Sequence, residues 1–366
     1  MNKQIHASFQ ISPFMVLFLI HSVQVGIGIL GFQQSLIENA GNDSWIAVII
    51  AGALVHFVIW ITYMLLNRAQ MDLIEIHKKI FGKFFGNFLS LIWIVYYTLF
   101  GMTVIFSYFE IIRVWMFPDI SVIWMSIVFL GLVIYTLYGG FRTVAGICFL
   151  GVVIPAYLFL TFLFPIPYSD LESLFPIWNH TTLEIFNGVK EMSFSFLGFS
   201  TLLFFYPFIK DAKKSQKWAH IGAFITTSTY FFLTVISLGY FSEEQLARQV
   251  WATLTLWKIA EMPIAERFEY IGITSWTLII LPNLCLAFWV ASRGLKQITG
   301  IKQKNTTIIV LVIVLCTSVY FKGRKQVELL GAVTSQIGIF CDFIYIPLLF
   351  VLYIIISKWR KTKWKS

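Results

Sequence analysis

Apolar residues run along this chain in stretches long enough to cross hydrocarbon, which takes roughly 20 residues each. They lie near 11–37, 44–66, 84–112, 121–138 and 143–166, then near 187–209, 217–241, 268–294, 306–321 and 330–357. The pattern predicts an all-α polytopic membrane protein of about ten transmembrane helices, split five and five. It forms one integral membrane domain over 1–366, with a first repeat at about 11–166, a second at about 187–357 and a basic tail at 358–366. Two stretches are too polar to span. From Asp72 to Gly86, Leu73, Ile76, Ile80 and Phe84 share a helical face opposite Glu75, Lys78, Lys79 and Lys83, a helix expected to lie on the inner membrane surface. After Ser242, the Ser-x-x-Gln245 spacing of a capping box precedes Leu246, Val250, Leu254 and Trp257 at helical spacing, expected on the outer face.

Composition removes the soluble alternative. Of 366 residues only 12% are charged and 58% are apolar or aromatic, whereas soluble domains are about a quarter charged. The net charge of +9 does not read as nucleic-acid binding, because the basic residues sit between the spans and set orientation. With both termini cytoplasmic, Lys3, Arg68, Lys78, Lys79, Lys83, Arg142, the Lys210–Lys217 loop, Arg293, Lys296, Lys302, Lys304 and the tail fall inside. Lys322, Arg324 and Lys325 in the ninth loop are the exception. Cys148, Cys285, Cys316 and Cys341 lie in apolar runs without a close pair, so free core thiols are expected, with no cofactor and no metal. No small-x-small cleavage site follows the first run, so the first span is expected to stay.

The first span carries Gly26-Ile27-Gly28-Ile29-Leu30-Gly31 at its middle. Each glycine costs about 1 kcal/mol against Ala in a helix, so a break is expected. The string also reads GxGxxG, but it follows no strand and has no acid about 20 residues on, which excludes a dinucleotide site. Small-residue helix packing is the alternative. The sixth span has an interruption of its own at Phe196-Leu197-Gly198-Phe199, followed by Pro207. Paired breaks in corresponding helices of two five-helix halves point to an inverted-repeat transporter bundle with broken helices 1 and 6. Backbone freed at the midplane offers N–H and C=O groups to both ends of a zwitterion, which suits an amino acid.

These residues resemble the endospore germination permeases, the B subunits of spore germinant receptors, within the amino acid-polyamine-organocation superfamily. Val25-Gly-Ile-Gly-Ile-Leu30 resembles that family's first break, Gly41-Asn-Asp-Ser-Trp45 its entry to the second helix, and Ile80-Phe-Gly-Lys-Phe-Phe-Gly86 its approach to the third. Phe196-Leu-Gly-Phe199 with Tyr206-Pro-Phe208 resembles the sixth helix, and Glu266-Arg-Phe-Glu269 the entry to the eighth. The chain departs at Gln33, where the family often has proline, and at Ser200, near which it often has an acid; the missing acid puts proton coupling there in doubt. The resemblance implies a nutrient germinant receptor subunit in the inner spore membrane. Its expected partners are a small-molecule germinant, an amino acid, together with a larger membrane subunit and a lipoprotein subunit.

Substrate contacts are expected at Gly26, Ile27, Gly28, Ile29, Tyr97, Phe196, Leu197, Gly198, Phe199 and Thr277, with Tyr97 and neighbouring Thr98 in the third span and Thr274 and Ser275 beside Thr277. Each also reads as ordinary packing or an interhelical hydrogen bond. Asp342 lies inside the tenth span, where a carboxylate is expensive unless paired or functional. It is expected to serve coupling or gating, with His21 as a possible partner, or else to be held neutral by its neighbours. His56 and His220 have no acid at ligand spacing. Glu110, Arg113, Lys190 and Glu191 lie at helix ends, where snorkelling accounts for them. An amino acid symporter or exchanger acting alone is the alternative function. A membrane enzyme would have to use His180, which has no nucleophile or acid cluster beside it.

Overall fold

A computed structural model describes residues 5–259, 267–321 and 323–363. Lys3, Glu266, Lys322 and the tail residues from 364 on, Lys365 among them, lie outside the described residues. Six helical stretches among those described are long and apolar enough to cross a membrane: Phe32–Ala69, Leu73–Trp115, Phe141–Tyr168, Ala212–Tyr240, Phe268–Thr299 and Arg324–Trp359. Four shorter apolar helices, Met15–Gln24, Val122–Tyr138, Phe199–Phe208 and Gln303–Thr317, fill the remaining places in the ten-helix order. We label the spans α1a (Met15–Gln24), α1b (Phe32–Ala40), α2 (Ser44–Ala69), α3 (Leu73–Trp115), α4 (Val122–Tyr138) and α5 (Phe141–Tyr168). The second half holds α6a (Thr182–Ser195), α6b (Phe199–Phe208), α7 (Gln216–Tyr240), α8 (Phe268–Thr299), α9 (Gln303–Thr317) and α10. α10 runs from Arg324–Ile339 through a π-helical turn, Phe340–Tyr345, into Ile346–Lys363.

Sequence explains the irregular points. Gly82 takes φ +79 within α3 and separates the short amphipathic piece from the long span. Leu73 and Ile76 are buried as the periodicity requires, but Phe84 lies beyond that hinge and is exposed; it does not belong to the buried face. Gly41, at φ +47, ends α1b directly beneath His180, where a Cβ would lie 2.1 Å from the ring. Asp43, two residues on, accepts the N–H groups of Trp178 at 2.7 Å and His180 at 2.9 Å. The Gly41–Trp45 string thus clamps the 170–181 loop onto the start of α2. Ser242 and Gln245 form the expected capping box. At the start of α8, Arg267 Nε lies 3.0 Å from Glu269 Oε1. Pro347 lacks the N–H that an α-helical turn would donate to Phe343, and α10 widens into its π-turn just before it.

α8 is the centre of the bundle, packed against α3, α5, α9 and α1a. Every residue from Leu284 to Ala291 is buried, as befits a helix apolar all round. Phe57, Trp60, Phe88, Trp124 and Phe224 are exposed on the outside, the reverse of a soluble protein and the natural surface for lipid. Cys148, Cys285 and Cys341 are buried free thiols, but Cys316 is exposed, which corrects its expected place in the core.

Gly31 sets a stability test. A Cβ there would stand 2.2 Å from the Val250 carbonyl oxygen and 2.9 Å from the Trp251 ring, and the backbone contact cannot yield by a rotamer change. Gly31→Ala is expected to lose about 1–3 kcal/mol, seen as a lower thermal midpoint and less protein in the membrane fraction. Gly131→Ala, with no atom of the described residues within 4 Å of its Cβ position, should match the parent.

Candidate functional site

Breaking two helices inside a bundle frees backbone groups that must find partners. α1a ends at Gln24 and α6a at Ser195, and side chains of other helices meet the groups so released. Tyr230 of α7 directs its hydroxyl at Gln24 O, 3.1 Å, and Ser195 O, 3.3 Å, bridging the two breaks. Gln24 Nε2 donates to Phe196 O at 3.0 Å. Trp276 Nε1 donates to Gly26 O at 3.2 Å, and Thr253 Oγ1 to Ile29 O at 2.7 Å. Asn283 of α8 points its amide at Ser22 O, 2.8 Å, and Val25 O, 3.4 Å.

Gly198, at φ +100, makes the turn of the sixth-helix break, a conformation open to glycine at little cost. Its N–H donates to Asp342 Oδ2 at 3.3 Å, while Ser200 Oγ donates to Asp342 Oδ1 at 2.5 Å. Tyr97 Oη lies 2.6 Å from Ser200 Oγ; since the Ser200 proton goes to the carboxylate, Tyr97 is the donor. The chain Tyr97–Ser200–Asp342 is fully buried. Tyr96 Oη and Thr201 Oγ1 are also buried and make no hydrogen bond among the described residues.

Most of the expected residues gather here. Gly26, Ile27, Gly28 and Ile29 form the first break, and Phe196, Leu197, Gly198 and Phe199 the second; Tyr97 and Asp342 join the second. Ile27 and Gly28 are half-buried while Val25, Gly26 and Ile29 are buried. Two expected positions differ. His21 Nδ1 pairs with Thr226 Oγ1 at 2.9 Å, and among the described residues the Asp342 carboxylate bonds Gly198 and Ser200 instead of His21. Thr277 bonds Tyr108 Oη at 2.7 Å, which turns it toward α3, and among the described residues no hydrogen bond ties it to either break. Ser275 likewise pairs with Tyr157, and Thr274 with its own helix. The acid absent from the sequence around Ser200 is supplied in space by Asp342, 142 positions away. Gln24, Tyr230, Trp276 and Asn283 were missed, although an amide inside an apolar span was a readable signal for Gln24 and Asn283.

Two cavities lie toward the ends of the broken helices. One of about 430 Å³ is lined by Gly31, Gln34, Glu38, Glu110, Trp251 and Arg324 and touches the end of the first break. Another, of about 540 Å³, lies by the chain leaving α6b and is lined by Gln70, Asp72, Glu75, Tyr206, Asp211 and Arg293. Beside it Ile11 N–H donates to Phe208 O at 2.8 Å and Lys210 N–H to Ile11 O at 2.9 Å, latching the two broken helices together.

Residues 10–327 match the family described as spore germination protein. The chain belongs to that family. It is 43% identical to spore germination protein GerQB of Bacillus cereus over 350 residues, which is 96% of this chain and 97% of that protein. Among solved structures it is similar to a Na+-coupled sialic acid symporter in a substrate-bound outward-open state, with TM-score 0.63 at 12% identity, covering 94% of this chain and 81% of the other. It is also similar to MhsT in complex with L-phenylalanine, with TM-score 0.64 at 12% identity, covering 93% and 87%. The fold is that of inverted-repeat transporters with broken first and sixth helices. Family and fold are those of permeases and transporters, not enzymes, in an integral membrane protein.

Proposed function

We propose that this chain is the nutrient-sensing membrane subunit of a spore germinant receptor, binding a small molecule at the two breaks. The observation that carries the reading is the joining of both breaks by resident side chains: Tyr230 touches Gln24 O and Ser195 O, and Gln24 reaches Phe196 O. A ligand that displaces one of these bonds changes both broken helices at once, which is what a signal requires. Gly26, Ile27, Gly28, Ile29, Phe196, Leu197, Gly198 and Phe199 would offer it backbone, and an amino acid suits that offer because its charges are of both signs. Asp342 would serve coupling, through Ser200 and Gly198. The proposed setting is the inner spore membrane with both termini cytoplasmic, beside a larger membrane subunit and a lipoprotein subunit. Lys210, Lys213 and Lys214 near the α6b end, with Lys358 in the tail, support that orientation through the excess of basic residues on one side.

The test is a spore strain whose only germinant receptor contains this chain, exposed to a panel of single amino acids. Germination with one or a few of them, lost on deleting this chain alone, is the expected result. Uptake of the same amino acid by vesicles holding this chain alone would instead favour an independent symporter.

A further inference from the structure

Asn283 stands where a transporter of this architecture has reason to hold a cation. Three backbone carbonyls converge on its Nδ2: Ser22 O at 2.8 Å, Val25 O at 3.4 Å and Ile279 O at 2.9 Å. Ser22 O and Val25 O come from the last turn and the cap of α1a, at its C-terminal, electronegative end, and Ile279 O from α8. Carbonyls freed by an unwound helix and gathered at a half-helix C-terminus are the usual means of coordinating a coupling ion in such bundles. Here the two amide protons fill that place. The orientation is fixed by the same geometry, for the other face of the amide, Oδ1, has no hydrogen-bond partner among the described residues and lies 2.9 Å from where a Gly26 Cβ would be. Asn283 is 0% exposed, so it cannot turn toward water. Pro282 precedes it and leaves Leu278 O without its helical donor, against which Gly151 of α5 packs closely; the local helix is thus held from both sides.

We propose that the Asn283 amide is a resident substitute for a coupling cation, so that the first break is closed without Na+ and its movement is independent of the Na+ gradient. The amide neutralises the three carbonyls by hydrogen bonding and carries no net charge. It remains attached to α8, so opening the break means pulling the carbonyls off a fixed donor rather than releasing an ion. This inference does not depend on what the protein senses.

The test uses the purified full chain in detergent, with Na+ itself as the probe. Thermal unfolding is compared in sodium chloride and in choline chloride at equal ionic strength, for the parent, Asn283→Asp and Asn283→Ala. The parent should show no Na+-specific change in midpoint. Asn283→Asp sets a carboxylate against the three carbonyls, and that oxygen cluster needs a cation between its members. Sodium should then raise the midpoint by about 2 °C or more, since a ligand bound only by the folded state stabilises it. Asn283→Ala uncovers the carbonyls without adding charge and should gain a smaller rise of the same sign. A Na+-specific rise in the parent would overturn the proposal. So would indifference of both variants to Na+, or failure of both to accumulate in sodium-containing medium, because the carbonyls would then not form a cation site once the amide is gone.

Discussion

Replacing Asp342 by Asn is expected to cut sensitivity to germinant by about tenfold or more while leaving the protein in the membrane. The carboxylate has two acceptor oxygens and both are used, one by Ser200 Oγ–H and one by Gly198 N–H. Asparagine keeps the volume but turns one acceptor into an N–H₂ donor. If its oxygen keeps Gly198, its amide protons face Ser200, which already receives the proton of Tyr97. One hydroxyl proton then has no acceptor at a site that is 0% exposed. Leaving a buried donor unmade costs about 1–3 kcal/mol, and about 1.4 kcal/mol is a factor of ten in an equilibrium. The expense falls on one conformation of the sixth-helix break, not on the whole fold, so the response should move more than the amount of protein. Dose-response curves of germination, read beside membrane-fraction immunoblots, separate the two. Tyr97→Phe removes only the outer donor of the chain and should shift the curve less. An Asp342→Asn strain with the parent's curve and the parent's protein level would reduce Asp342 to a packing role.

Hydropathy and glycine placement made the ten-helix order and both breaks legible, because membrane thickness fixes span length and three glycines in six residues weaken any helix. What could not be read was which side chains answer the freed backbone. Those partners come from distant helices: Tyr230 reaches Gln24, Asn283 reaches Ser22, and Asp342 reaches Ser200. Their meeting depends on the rotation of each helix about its axis. The π-turn of Phe340–Tyr345 alters that rotation just where Asp342 sits, so no count from the start of the span would have aimed its carboxylate at the sixth helix. Thr277 illustrates the converse. Its hydroxyl suggested a ligand contact, but α8 is buried on many sides and this face meets Tyr108.

Gly28→Val is expected to abolish the germinant response with little loss of protein. A Cβ at Gly28 would lie 3.4 Å from Ser195 Oγ and 3.7 Å from Tyr230 Oη, ordinary contact distances. Alanine therefore fits, unlike at Gly31 or at Gly198, where the left-handed backbone and Val23 at 2.7 Å both resist it. Valine adds two γ-methyl groups beside the Tyr230 hydroxyl, the group that bridges Gln24 O and Ser195 O, and beside a stretch of half-buried backbone at Ile27 and Gly28. They cover the surface a ligand would need and shield the bond it would displace. A graded result follows: the parent responds, Gly28→Ala responds at higher germinant concentration, and Gly28→Val does not respond. Gly131→Val, at a position with open space around it, controls for the bulk of the side chain, and immunoblots of the membrane fraction control for assembly. A Gly28→Val protein that accumulates normally and answers at the parent's concentration would mean that the glycines serve helix packing. The germinant would then have to bind away from the first break, and the bridge through Tyr230 would be a strut of the fold with no part in sensing.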